Sequence, residues 1–402
     1  MGFVAGALPG EEVDAEVEEV HRSFWRGRAV AVVAGSRDRI LAPGDACPGC
    51  DWGHFEPGAA RMAKRELFLE TMQRIGKLPA ETFGDLAIVP SDLAYRIRNR
   101  FHVEGRGANL VLGQFAGRSH RVLPVSACRA ITPKTAELLP SVRDALITGD
   151  ASVSELATLE DPAGQHRLAR ATLGEISRRQ IAAEGEAAGR ALTPFFAGVK
   201  VVDREGRAVF QAGEARLPLE VGGRPFLVSV DSFFQGNRHL AGTLLADVSR
   251  AAGGRPGEAL DAFGGVGFFA AALLDAGHSV TSVEENPASA RDAAKTRQSW
   301  EDADRWRIMP SSVASFLSSS SRRFDLVVVD PPRAGLARLT LPIGERARRR
   351  LVYVSCDPAT LARDLAELLS VFEVADARLY DLFPLTHRVE SVVTLVRKAG
   401  AS

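Results

Sequence analysis

The chain has 402 residues, 46% hydrophobic and 25% charged, with 50 Lys+Arg against 50 Asp+Glu. That length asks for two or three domains of ordinary globular composition. No window reaches the ~18 consecutive apolar residues of a membrane span, and the opening MGFVAGALPGEEV lacks the basic-then-apolar order of a signal peptide, so a cytoplasmic protein is expected. Balanced charge excludes a wholly basic, polyanion-binding surface and leaves local stretches, RIRNR (96–100), SRR (177–179) and RARRR (346–350), each by default a solvated face.

In chain order, VAGALPGEEVDAEVEEV and GRAVAVVAG read as strands of a small β-barrel within residues 1–40, too few for an independent core. Between Ala60 and Lys77, Phe68, Met72 and Ile75 recur at helical spacing. RNRFHVEG, ANLVLGQFAG and FFAGVKVVDREGRAVFQAG are Gly-punctuated strand-like runs, which predicts a mostly antiparallel α+β domain over 41–235. From residue 236 to 402 the pattern alternates. EALDAF, HSVTSVEE, FDLVVVDPP, RLVYVSC and SVVTLVRK read as strands, and AAALLDAG, NPASARDAAKTRQ and PATLARDLAELL as helices. The fold class is therefore α/β, with a C-terminal Rossmann-like sheet wrapped by helices.

DAFGGVGFF sits between a predicted strand and a predicted helix. Gly265 and Gly267 let the backbone turn tightly and approach a ligand. On the next strand Glu284, seventeen residues after Gly267, is placed to accept from a ribose diol. The spacing is not G-x-G-x-x-G, which favours S-adenosylmethionine over a dinucleotide. Phe263 faces the adenine or fills the core, and an ordinary tight turn is the bland alternative for the whole segment.

Asp330 ends the apolar strand FDLVVV, and two prolines stiffen the chain after it. Adenine-N6 methyltransferases carry a stacking aromatic after such prolines; Arg333 stands here instead. The neighbouring strand delivers Cys356 just before a helix N-terminus, which favours the thiolate, while Asp357 opposes it. A reactive thiol beside a methyl donor suits covalent activation of a poor carbon nucleophile such as C5 of a pyrimidine. Sulfur adds to C6, and a base then removes the C5 proton. Glu390 is the candidate base and His387 its rival.

FFQGN (233–237), DAFGGVG, DPPRAGL, SCDPATLARDL and DLFPLTHRVES together resemble the RNA 5-methyluridine methyltransferases that modify 23S ribosomal RNA and tRNA. The resemblance implies Cys356 as nucleophile and Glu390 as base. It puts Gln235, Phe263, Gly265, Glu284 and Asp330 at cofactor positions, Gln235 and Asp330 also near the uracil edge, and Phe233 beside a flipped base. Phe268 and Ser311 depart from polar or acidic residues common in the family. The N-terminus resembles the TRAM domain, an RNA-binding barrel, beginning partway through it, so a truncated barrel is expected.

ACPGCDWGH resembles the segment that holds a [4Fe–4S] cluster in the ribosomal-RNA members, with Cys47, Cys50 and the distant Cys128 as ligands. Four thiolates normally hold such a cluster. The family's first cysteine would fall about six residues before Cys47, where RILAPGD has none. Three readings stand: a cluster with a non-cysteine ligand, a vestigial site, or another metal such as zinc with His54. Asp45 and His54 are the nearest other donors. The resemblance favours structured RNA, 23S ribosomal RNA ahead of tRNA, as the substrate of a monomer, with a non-catalytic RNA-binding assembly factor as the reading from another class.

Overall fold

The computed structural model describes residues 1–41, 49–115, 121–125 and 128–400, which form three sheets and a separate hairpin. The first sheet holds strands Gly2–Ala5, Trp25–Ala34 and Glu12–Val20 in that spatial order. Val17, Val20, Val30 and Val33 stay exposed, so this N-terminal β unit buries little apolar surface of its own. Within it the Arg39 Nε and Nη2 reach the two Glu11 oxygens at 2.5 and 2.6 Å, and an antiparallel bridge from Arg39 to Phe55 ties the unit on.

A seven-stranded central sheet comes next, running from Ala208–Gly213 through Gly198–Val202, Arg167–Leu173, Val153–Glu160, Arg98–Glu104 and Val111–Phe115 to Val122–Pro124. All its pairings are antiparallel except Gly198–Val202 with Arg167–Leu173, as the Gly-punctuated runs predict. Phe101, Leu156, Ala171 and Val201 share a buried core with Leu139, Val142 and Leu146 of helix Pro133–Thr148 and Ala188 and Leu192 of helix Ile181–Leu192.

The third sheet has eight strands in the order Trp306–Pro310, Ser279–Glu284, Glu258–Asp261, Phe324–Val329, Ala347–Ser355, Glu390–Arg397, Phe372–Tyr380 and Ala87–Val89. The first five are mutually parallel, and Glu390–Arg397 then runs antiparallel to both its neighbours. Strands buried on both faces need continuous apolar runs, and Leu326 to Val329 and Leu351 to Val354 supply them, each residue at most 2% exposed. The order reverses between Glu258–Asp261 and Phe324–Val329. That switch opens a crevice at the carboxyl ends of the strands.

Two elements from before residue 236 complete this unit. In helix Pro57–Gly76, Phe68 and Met72 enter one core with Leu361, Leu365 and Phe372, while Ile75 remains 40% exposed. Strand Ala87–Val89 adds in parallel to the sheet edge. Helical periodicity sets which face is apolar and leaves open which domain receives it.

Candidate active site

The glycine loop is built by backbone ties at the switch point. Ala262 N–H donates to Val328 O (3.0 Å), Gly264 N–H to Val283 O (2.9 Å) and Gly267 N–H to Gly264 O (2.8 Å). Gly267 has φ +96° and an added Cβ would stand 2.2 Å from the Trp306 indole, so no side chain fits. Gly265, at φ +54°, faces open space. Glu284 Oε2 accepts from Gly265 N–H (2.8 Å) and Oε1 from Asn286 N–H (2.5 Å), which fixes the carboxylate beside that space. Phe263 is half-buried at the edge of the core.

Asp261, missed at the level of sequence, closes the floor. It is fully buried; Oδ2 accepts from Ser282 Oγ (3.1 Å), and Oδ1 has no partner. Burial, with Asp330 and Glu284 nearby, pushes its carboxyl up to about 7. Its signal was its place as the last residue of EALD at a strand's carboxyl end. An orphaned buried acceptor, a fixed carboxylate and a side-chain-free approach fit the adenosyl and amino-acid donors of S-adenosylmethionine. Phe268 is core, packed on Phe226, Phe234 and Phe269 at centroid distances of 5.9, 5.6 and 5.1 Å. Ser311 lies beside the cradle, its N–H donating to Glu284 O (3.1 Å).

Asp330 comes directly after strand Phe324–Val329, and burial lifts its carboxyl to about 7. The Pro-Pro loop after it is clamped by helix Pro358–Leu368. Asp364 accepts from Leu336 N–H (2.6 Å) and Tyr353 OH (2.7 Å), and Arg363 Nη2 donates to Ala334 O (2.9 Å). The RD of SCDPATLARDL is thus a loop clamp. The loop carries Arg333, whose charge favours the Cys356 thiolate.

Cys356 is held between two caps. Ser355 Oγ accepts from Asp357 N–H (3.2 Å), and Asp357 Oδ1 caps the helix by accepting from Ala359 and Thr360 N–H, both at 3.0 Å. Across the antiparallel ladder Ser355 pairs with Ser391, so Cys356, just past its strand, and Glu390, the first residue of its own, stand at the same end of the sheet. Glu390 is 5% exposed, and burial with Asp330 raises its carboxyl well above the usual range. The opposing influences on the thiol are unequal. Burial, then Glu390 and Asp330, push the Cys356 thiol up to about 11, outweighing Arg333. His387, the rival base, is exposed and engaged by Asp51.

Gln235 and Phe233 sit on a pinned turn. Phe234 is buried against Phe226 and Phe268, and Asn237 Nδ2 donates to Leu382 O (2.9 Å) and Ser91 Oγ (2.8 Å). Phe233 is left 62% exposed, and Gln235 is half-buried.

Cys50 and Cys128, distant in sequence, both bear electrostatically on Tyr95 and Arg96. Cys47 and Asp45 lie outside the described residues. Among the described residues no group of three or more His, Cys, Asp or Glu is placed to hold a metal ion. Burial, then Arg39, push the imidazole of His54, the zinc alternative, below its ordinary value.

A family model described as tRNA (Uracil-5-)-methyltransferase matches residues 314–398. The chain is 32% identical over 424 residues to an uncharacterized RNA methyltransferase of Streptomyces avermitilis, spanning 98% of this chain and 92% of that one. It is 27% identical over 420 residues to one of Thermotoga maritima, spanning 98% and 93%. The crystal structure of Pyrococcus abyssi tRNA (uracil-54, C5)-methyltransferase in complex with S-adenosyl-L-homocysteine superposes with a TM-score of 0.75. It is 22% identical and covers 98% of this chain and 95% of that one, a likeness of fold.

Proposed function

This chain belongs to the RNA (uracil-5-)methyltransferase family, and from that premise we propose that it makes 5-methyluridine in structured RNA through a covalent Cys356 adduct. The convergence of Cys356, Glu390 and Asp330 at one end of the sheet carries this reading. The thiol proton leaves to water as sulfur adds to C6, and the C5=C6 pair shifts toward O4. When bound, S-adenosylmethionine supplies the methyl group taken by C5 and a positive charge that favours neighbouring carboxylates and thiolate. Glu390 then takes the C5 proton. The C–H pair re-forms C5=C6, and the C6–S bond breaks with its electrons on sulfur.

On this reading Glu284 orients the ribose, Gln235 and Asp330 meet both cofactor and uracil, and Phe233 packs beside the flipped base. The N-terminal unit supports an RNA partner: His21 stacks on Phe24 at 4.3 Å, and Arg26 lies over the same ring at 5.3 Å. That β unit and the cysteines Cys47, Cys50 and Cys128 favour 23S ribosomal RNA. A tRNA substrate is the second reading, favoured by the description of the matching family model.

Incubating the protein with 5-fluorouridine-substituted RNA and S-adenosylmethionine tests the chemistry, because fluorine at C5 cannot leave as a proton. A denaturation-stable protein–RNA adduct is expected, lost in Cys356→Ala. No adduct with ribosomal or transfer RNA would favour the non-catalytic assembly factor. Mass mapping of 5-methyluridine in RNA from cells with and without the gene distinguishes the two substrates.

A further inference from the structure

The nine residues 381–389, between strands Phe372–Tyr380 and Glu390–Arg397, deliver Glu390 to the crevice. The segment has few ties of its own. Thr386 bonds back to Phe383 O, N–H at 3.3 Å and Oγ1 at 2.8 Å, and Leu385 sits at φ +67°, a conformation that costs a branched residue energy. Its other fixtures come from far earlier in the chain. Asp381 N–H donates to Val89 O (2.9 Å), Trp52 N–H donates to Leu385 O (2.9 Å), and Asp51 Oδ1 accepts from His387 N–H (3.3 Å) while Oδ2 engages His387 Nδ1.

Lys64 is the most costly of these fixtures. Its side chain, 1% exposed, reaches from helix Pro57–Gly76 to Asp381 Oδ1 at 2.5 Å and Phe383 O at 3.1 Å. Desolvation makes such a pair a poor source of net stability, and an apolar pair of similar size would serve a core as well. What the pair supplies is direction: a cation that gathers a carboxylate and a carbonyl of one loop. A base must stand within hydrogen-bond reach of the proton it removes, and errors near 1 Å cost about 100-fold in rate.

From these contacts we infer that Lys64 and Asp51 are positioning residues for Glu390, and that the segment 51–89 sets the rate of C5 proton removal. The inference rests on the reading of Glu390 as the base. It gives the first 90 residues a part in the chemistry that concerns one half-reaction. Addition of Cys356 to C6 is set by the ladder and the Asp357 cap, whereas the Lys64 and Asp51 side chains bond to the loop 381–389, and elimination depends on where that loop leaves Glu390.

The test separates the halves. Asp51→Ala, at a half-exposed site, and the double variant Lys64→Met/Asp381→Asn, which removes both buried charges, are compared with wild type on two RNAs. With 5-fluorouridine RNA, adduct formation should stay within about twofold of wild type. With ordinary uridine RNA, kcat should fall tenfold or more at unchanged KM, and a denaturation-stable methylated protein–RNA adduct should accumulate. Unchanged kcat in both variants, or equal loss of kcat and fluorouridine adduct rate, would overturn the positioning role. Wild type forming no adduct on 5-fluorouridine RNA would instead sink the underlying reading of the site.

Discussion

Ser355 and Ser391 stand opposite each other at the end of an antiparallel ladder, and Ser391 Oγ donates to Ser355 O at 3.2 Å. Cys356, just past its strand, and Glu390, the first residue of the other and paired on its far side with Tyr380, therefore stand at the same end of the sheet. Adjacent strands lie about 4.8 Å apart, and the Glu390 charge bears directly on the Cys356 thiol.

Cys356 alkylation should report that proximity. With the thiol pushed up to about 11, the iodoacetamide rate of the unliganded protein should climb about tenfold per pH unit between pH 7 and 10. Glu390→Gln removes a charge that disfavours the thiolate, so alkylation at pH 9 should be several-fold faster than in wild type, while turnover is lost. Equal rates would place the two side chains apart.

Gly265 and Gly267 should respond differently to alanine. At Gly267 the methyl group meets Trp306 at 2.2 Å with φ +96°, and the fold should lose about 3 kcal/mol, read as a fall in melting temperature. Gly265→Ala enters open space at φ +54° and should cost about 1 kcal/mol. Its larger effect should be on calorimetric S-adenosylmethionine binding, weakened tenfold or more.

Asp364→Ala should cost about 3 kcal/mol, because it leaves the buried Tyr353 hydroxyl and Leu336 N–H without their acceptor. Activity should fall further than stability, since the Pro-Pro loop bearing Arg333 loses its clamp. Activity measured well below the melting temperature separates the two effects.

Asp261 gives unliganded stability a pH dependence. Its folded carboxyl lies at about 7 against an ordinary 3.8, so the folded state holds the proton more tightly. That stabilisation is complete below pH 4 and is lost as pH rises through 7. Asp261→Asn should therefore gain on the order of 4 kcal/mol over wild type at pH 8 and nothing at pH 4, in urea titrations of cofactor-free protein. Its affinity for S-adenosylmethionine should drop.

Much of the site was legible in the chain. The strands ending at Glu284, Asp330 and Cys356 announced themselves through apolar runs stopped by Glu-Asn, Pro-Pro and Cys-Asp-Pro, because local backbone chemistry ends a strand where it stands. Asp261 was not singled out, since the cost of its burial depends on Ser282, Trp306 and Asp330 around it. The rise of the Cys356 thiol was hidden likewise: the helix terminus that favours a thiolate is local, and the carboxylates that oppose it arrive from other strands.

Sequence alone determined the α/β class and the glycine turn, both carried by contacts a few residues long, and it offered Cys356 and Glu390 as candidates for nucleophile and base. Only the tertiary structure decided that helix Pro57–Gly76 and strand Ala87–Val89 complete the C-terminal sheet, and that Lys64 grips the loop before Glu390 from 317 positions away. A hydrophobic stripe or a lysine specifies what it needs to meet, and chain closure in three dimensions selects which segment meets it.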